Sequence, residues 1–524
     1  MVLSLTACTS DNKTVVDGQT TVTSNSAGGV AVFTPSDGIT LNQQTPLNKW
    51  AKLVPDLAKA LADAGFKKGD IDHTTSDSLA KQSRAIQDFV VDHLSNNTTD
   101  DSGIAIAPDN MTLLVAPVVE ADASTRQYGD YISQNLSTND ATDGEATSDG
   151  ESSEDDSSKD DSSNTESDST ASDEQAQAVD RLVSSLKLAK ESGMHVVLLG
   201  NSIEGYKPDA FVKFSDAQTI GKLQAEKMVS KLKLDKASKD NPKYIEVLLP
   251  YTAVDEKGNA NDSTFAQEAF RGIWQVLGFY YQKGVVESPS GTLDGKSTEN
   301  DWQAVAYDAA KEGSTAKVLD KRLAKTDGQS TLTRIDGIIT MNDYIASEVV
   351  KELDDLGYTG SAADINPQIT ISGIVGNITG KKDLSRDAVP DPIKSPENDN
   401  ANDSSSSDDD ADEDTSASDK DRDSQWPLVT GYGAYVSNIP SIVNGKQWMT
   451  GMEDRQTIAT DIAQACAKLN KDEALNSMPS IRNSEVGGVK KIPTISEPLL
   501  AVSASNLKSA LIDPGYISLA DAGL

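Results

Sequence analysis

The sequence predicts an α/β protein built on parallel sheets covered by helices on both faces. Two observations predict it. Short apolar runs alternate with helical stretches whose apolar residues recur every three or four positions, along nearly the whole chain. The last clear run, Leu428 to Thr430, breaks at Gly431-Tyr432-Gly433 into a helical pattern. That arrangement places a loop at the carboxyl end of a strand, where open α/β sheets bind ligands. At 524 residues the chain exceeds one ordinary domain, so two or more cores are expected.

The elements follow in order. VAVF (Val30 to Phe33) reads as the first strand. Thr45-Pro46 then opens a helix, with Thr45 as N-cap and Pro46 in the first turn. Leu47, Trp50, Val54, Leu57, Leu61 and Ala64 form its apolar stripe, Gly65 ends it, and Pro55 should kink it. A second helix is expected from Asp77 to Leu94, and LLVAPVV (Leu113 to Val119) is a buried strand. A helix from Gln175 to Ser192 leads to the strand HVVLL, from His195 to Leu199. Phe211 to Phe214 precedes a helix opened by a capping box, Ser215-x-x-Gln218. YIEVLL (Tyr244 to Leu249) precedes a helix over 263–281, and IDGIIT (Ile335 to Thr340) one from Asp343 to Leu356. Gln368 to Ile371 is a further strand, and Ala434 opens a helix that ends at Asn444-Gly445.

The net charge of −35 is concentrated in two places. Asp140 to Glu174 holds fourteen acidic residues and one lysine; Glu397 to Asp423 holds twelve against Lys420 and Arg422. These Ser/Asp/Glu tracts have almost no apolar residues to offset ordering entropy, so insertions over 137–174 and 381–425 are expected to be disordered. The spaced, glycine-kinked carboxylates of a calcium loop are missing. No basic patch argues for nucleic acid, and no run of eighteen apolar residues could cross a membrane. Leu5-Thr6-Ala7-Cys8 resembles the lipobox of bacterial lipoproteins, in which the cysteine carries the lipid. A Ser/Thr/Asn/Asp/Gly-rich stretch suited to a tether follows it over 9–28. Cys466 lies in a helical pattern and reads as a small buried apolar residue, so no disulfide is expected.

Catalytic motifs find no foothold. Gly291 to Ser297 (GTLDGKS) has three residues between its glycines where a phosphate loop has four, and follows no strand. His73, His93 and His195 are scattered without cysteine ligands, and Gly431-x-Gly433 lacks the third glycine of a dinucleotide fingerprint. Neither an enzyme nor a bound cofactor or metal is expected.

Over roughly residues 28–135, 175–375 and 426–524 the order of elements resembles the type I periplasmic solute-binding proteins of ABC sugar importers, nearest their xylose and multiple-monosaccharide branch. The segments that carry the likeness are VAVFTP with WAKLVPDLAKALADAGF, FVKFSDAQTIGKLQAE, DGIITMNDYIASEVVKELDDLGY, GKQWMT and IPTISEPLLAVSASNLKSALIDPGY. The resemblance implies two doubly wound lobes joined by three crossovers. The N-terminal lobe would span 29–212 and the C-terminal lobe 213–450, with a return to the first lobe over 451–490 and the final crossing in 491–524. It implies a carbohydrate held between the lobes, transmembrane permease subunits as partners, a lipid anchor at Cys8 on the extracytoplasmic face of the membrane, and action as a monomer. Three charged anchors of the monosaccharide binders are replaced, by Gly200-Asn201, Tyr432-Gly433 and Glu453. Lys49, Trp50, Asn261, Asn342 and Asp343 remain as candidate ligand residues, and Asn201 and Tyr432 are candidates at the replaced positions. Trp50 also fits its helix's core stripe, and Asn261-Asp262 and Asn342-Asp343 also fit helix caps. A sensory receptor of the same fold, or a surface interaction lipoprotein that has lost sugar binding, is the alternative; a cleft filled by the chain's own side chains would mark the latter.

Overall fold

The computed structural model describes residues 15–16, 19–20, 27–36, 46–96, 106–119, 125–138, 165–254, 260–324, 332–362 and 426–524. Cys8, the strand expected at Gln368 to Ile371 and the insertion over 381–425 lie outside them, as does most of the insertion over 137–174. Within the expected tether, Val15–Val16 pairs antiparallel with Gln19–Thr20.

Two sheets organise the rest. In the N-terminal lobe, β1 (Gly29–Pro35), β2 (Ile71–Ser76), β3 (Met111–Val115), β4 (His195–Leu199) and β5 (Ala210–Lys213) are joined late in the chain by β11 (Ile481–Val486) and β12 (Val489–Ser496). Their order is β11-β12-β5-β4-β3-β1-β2, parallel except for the β11–β12 hairpin. Side chains alternate between two buried layers. Val30, Val32, Leu114, Val197 and Val212 face one; Ala31, Phe33, Leu113, Val196 and Phe211 face the other. A strand that is apolar on both sides requires cover on both faces. Helices α1 (Trp50–Asp63) and α8 (Arg455–Leu469) cover the first face, α2 (Leu79–Asn96) and α3 (Thr165–Glu191) the second.

The C-terminal lobe has four parallel strands, β6 (Lys243–Val247), β7 (Val286–Glu287), β8 (Gly337–Ile339) and β9 (Leu428–Val429), in the order β7-β6-β8-β9. Helices α4 (Ala217–Leu232), α5 (Thr264–Gln282), α6 (Ser314–Arg322) and α7 (Asp343–Asp355) contribute to its core. The chain passes between lobes three times. Residues 214–216 link β5 to α4; β10 (Met449–Met452) returns to α8; and β13 (Leu500–Ser503) runs antiparallel to β10 before the last segment packs Leu507 and Leu511 on Ile439 and Ile442. This is the two-lobed, doubly wound α/β architecture. No helix among the described residues is long and apolar enough to cross a membrane.

Several expectations move, each for a local reason. Helix α1 starts at Trp50 with Lys49 at the cap, not at Thr45-Pro46, because Leu47 is drawn into the interlobe region, its amide bonding the Gly433 carbonyl at 2.9 Å. It runs unbroken through Pro55. The cap of α4 is Asp216, which accepts from the Thr219 amide at 2.7 Å; Ser215 is engaged elsewhere, as shown below. The backbone helix of α3 reaches back to Thr165, ten residues before the expected start at Gln175, inside the first acidic tract. A tract too polar to fold alone can extend a helix already nucleated by a packed half, since each added residue brings its own backbone hydrogen bond. The helix expected from Ala434 spans only Ile439–Val443, since Ala434 takes a left-handed φ of 49° and Tyr435 is extended. Strand β12 stays in the N-terminal sheet to Ser496, so the return expected to end at 490 runs six residues further.

Candidate functional site

Residues that follow the carboxyl ends of strands in both sheets, Asn201 after β4 and Asn342 after β8, face each other across the loop after β3, which fills the cleft between them. Residues 125–134 of that loop form a strap touching both walls. On the N-terminal wall, Asp130 receives the Lys49 ammonium at 2.8 Å and the Trp50 amide at 3.1 Å. A carboxylate at a helix start meets the positive end of the helix dipole. Tyr131 donates its hydroxyl to the Lys49 carbonyl at 2.5 Å and stacks on Phe214 with ring centres 4.7 Å apart. Trp50 packs edge-on against both rings, at 5.1 and 5.7 Å. Asn201, buried at the end of β4, accepts from the Gln134 amide at 3.0 Å and donates to the Pro117 carbonyl at 2.9 Å. The strap turns at Gly129, whose φ is +96°. A Cβ there would stand 2.5 Å from the Asn48 carbonyl, so the turn needs glycine on both counts.

The other side of the strap belongs to the C-terminal wall. Asn342 donates to the Gln127 side chain at 3.2 Å while its oxygen caps α7 by accepting from the Ile345 amide at 2.9 Å. The Tyr435 hydroxyl donates to the Gln127 carbonyl at 2.6 Å. Tyr128, 1% exposed, joins the C-terminal core, 4.7 Å from the Phe265 ring and 6.3 Å from Tyr432. Burial pushes the Tyr128 hydroxyl well above its ordinary value, so it stays neutral.

Asp343 lies beneath this wall, fully buried. It accepts from the Tyr435 amide at 2.9 Å, Gln447 Nε2 at 2.7 Å and Thr450 Oγ1 at 2.8 Å. Gly431 makes the approach possible, since a Cβ there would be 2.1 Å from the carboxylate. Burial raises the Asp343 carboxyl to about 6 against those hydrogen bonds. At the crossovers Glu453 is buried and accepts from the Ser215 amide at 2.5 Å; burial lifts it to about 7. Ser215 Oγ bonds the Tyr432 hydroxyl, tying the first crossover to the loop after β9.

Four of the seven candidates thus surround the strap, Lys49, Trp50, Asn201 and Asn342, while the Tyr432 ring lies inside the lobe 6.3 Å from Tyr128. Asp343 sits behind them. Asn261 lies apart, donating to the Thr252 carbonyl at 2.9 Å and accepting the Tyr251 hydroxyl on its own carbonyl. Tyr432, a candidate ligand residue, is not exposed to the space between the lobes but is a fully buried ring in the C-terminal core. Its flanking glycines remove strand and helix, not the packing that the lobe supplies. The capping expected near Asn261 falls to Asp262, which accepts the Thr264 amide at 3.0 Å. Sequence reasoning missed Gln127, Tyr128 and Asp130, and named Glu453 only as the replacement of a charged anchor. The available signal was QYGDY (Gln127 to Tyr131), two tyrosines about a Gly-Asp turn in a stretch otherwise read as loop. Away from the cleft, a concavity of about 410 Å³ lies beside Leu469, Leu475 and Ile481 of the N-terminal lobe.

No protein-family model matches the chain, and no curated protein sequence does. Among solved structures it is similar to an ABC transporter solute-binding protein from Clostridium phytofermentans with bound β-D-glucose, at 17% identity and a TM-score of 0.45, covering 94% of this chain and 99% of that one. A carbohydrate transporter solute-binding protein from Chloroflexus aurantiacus in complex with D-glucose aligns at 18% identity and a TM-score of 0.43, over 95% and 98% of the two chains. A periplasmic solute-binding protein of an ABC transporter from Actinobacillus succinogenes with bound D-allose aligns at 10% identity and a TM-score of 0.40, over 92% and 99%.

Proposed function

We propose that this protein is an extracytoplasmic solute receptor, anchored through a lipid on Cys8, that takes a mono- or small oligosaccharide between its lobes and delivers it to an ABC permease. The observation that supports this reading is the convergence of amides and aromatic rings from both sheets on one cleft. Asn201 and Asn342 reach the strap from opposite lobes, with Trp50, Phe214 and Tyr435 around it. Amides that bond hydroxyls and rings that lie against sugar faces suit a neutral carbohydrate. Three interlobe links give the hinge such a receptor needs. The function requires reversible binding and no chemistry, and a monomer suffices for it.

A second reading has an observation of its own. The cleft is filled by Tyr128 and its neighbours, as expected of a surface interaction lipoprotein that no longer binds sugar. Thermal unfolding of the full chain against millimolar D-glucose, D-allose, D-xylose and myo-inositol separates the two. A solute at a hundred times its dissociation constant stabilises the fold by about 2.7 kcal/mol, a visible shift in midpoint. A shift with any one sugar supports the receptor; none across the panel, for the wild type and for the strap variants below, leaves the interaction reading.

A further inference from the structure

We propose that residues 125–134 are an internal competitor for the interlobe site: the strap holds the lobes together in the absence of solute, and a solute binds only by displacing it. The inference rests on the receptor reading. It stands on three features of the strap. First, its contacts are divided between the lobes. Asp130 and Tyr131 hold the N-terminal wall through Lys49 and Trp50, while Gln127 and Tyr128 hold the C-terminal wall through Asn342, Tyr435 and Phe265. One segment therefore performs the bridging that a bound solute performs in a two-lobed receptor.

Second, the strap uses the groups a polar solute would use. The Gln127 side chain and carbonyl accept from Asn342 and from the Tyr435 hydroxyl, and the Gln134 amide donates to Asn201. These donors and acceptors are therefore engaged until the strap leaves. Third, the two sets of anchors differ in strength. The Tyr131 ring is wedged between Trp50 and Phe214 and its hydroxyl is bonded to the Lys49 carbonyl; on the other side Gln127 makes two hydrogen bonds and Tyr128 buries its ring against Phe265, but the Tyr128 hydroxyl lies beside Asn342 without completing a hydrogen bond of ordinary geometry. A buried hydroxyl left unpaired weakens its own seat. Release should therefore begin at Gln127-Tyr128, with the strap remaining attached to the N-terminal lobe through Tyr131. A site available in only a fraction of molecules shows an affinity reduced by that fraction.

The test is hydrogen exchange on the full-length protein, without ligand, followed by titration with the sugar panel above. Wild type, Tyr128→Ala and the milder Gln127→Ala are compared, the latter keeping the packed ring in case the first variant folds poorly. In the wild type the amides of 127–132 should exchange slowly, and in the variants they should exchange faster together with 342–346 and 432–436. A sugar that binds should bind Tyr128→Ala at least tenfold more tightly than wild type, and Gln127→Ala by a smaller factor. Strap amides of the wild type exchanging as fast as an unstructured peptide would overturn the inference, whatever the sugars do. A sugar bound with the same affinity by all three proteins would overturn it too, leaving the receptor reading intact. A protected strap with no sugar bound by any of the three would sink the receptor reading, and the competitor with it.

Discussion

On the N-terminal wall of the cleft, Lys49 and Asn201 bond directly to the strap, and Lys49 keeps contact with solvent, its side chain 15% exposed. On the C-terminal wall Asn342 and Tyr435 bond to it and Phe265 packs on it, while Asp343 and Tyr432 lie wholly inside the lobe. Similar polar residues at equivalent strand ends thus do different work. The first wall presents its polar groups to whatever fills the cleft. The second uses most of its groups to fix its own loops: Asp343 gathers the 435, 447 and 450 positions, and Tyr432 meets Ser215 at the crossover. The difference comes from burial, since a carboxylate sunk in a lobe must be satisfied by that lobe.

Four substitutions sharpen or break this contrast. Trp50 should be structural on the adaptable wall: Trp50→Ala removes a 3% exposed ring packed on Tyr131 and Phe214, and should cost about 3–5 kcal/mol in denaturant unfolding. A loss under about 1 kcal/mol would move Trp50 from the core to the ligand surface.

The pH profile tests the buried side next. Glu453 rises from an ordinary 4.5 to about 7 in the fold, and Asp343 from 3.8 to about 6. Both bind their protons more tightly folded than unfolded. Their contribution to stability is therefore fully present below their ordinary values and is lost as pH rises through the raised ones. Between pH 5 and 8 the Glu453 part is about 2–3 kcal/mol, and Glu453→Gln should flatten the curve by that amount. An unchanged slope would mean that the carboxyl is not held dry between Ser215 and Tyr432. Asp343→Ala should cost about 2 kcal/mol at pH 7, because three buried donors lose their acceptor while one costly buried charge is relieved. Lys49→Ala should be mildest, under about 1 kcal/mol, as its ion pair with Asp130 is partly exposed. Its effect should appear instead as faster hydrogen exchange in the strap.

Much of the fold was legible because both faces of each sheet are covered. The apolar runs VAVF, HVVLL and IDGIIT could be read as strands without knowing their partners, and the helices between them by their stripes. Boundaries were less legible wherever the chain crosses between lobes. Ser215 has the sequence of a cap but is taken by Glu453 and Tyr432, so the cap passes to Asp216. Thr45-Pro46 has the sequence of a helix start, but Leu47 pairs with Gly433 and the helix waits until Trp50. In both cases a contact from more than 200 residues away in the chain outweighs a local preference.

Of the candidate site, the sequence picked residues that follow strand ends, because the position of loops at the carboxyl ends of parallel sheets follows from topology alone. It did not disclose that QYGDY would fill the space between them. Composition and periodicity determined the α/β class, the parallel sheets and the acidic tracts, since each depends on near neighbours or on average hydrophobicity. Which polar groups face the cleft, which are sealed inside a lobe, and what lies between the walls was decided only by tertiary structure. Those outcomes turn on burial, and burial is a property of segments brought together from distant parts of the chain.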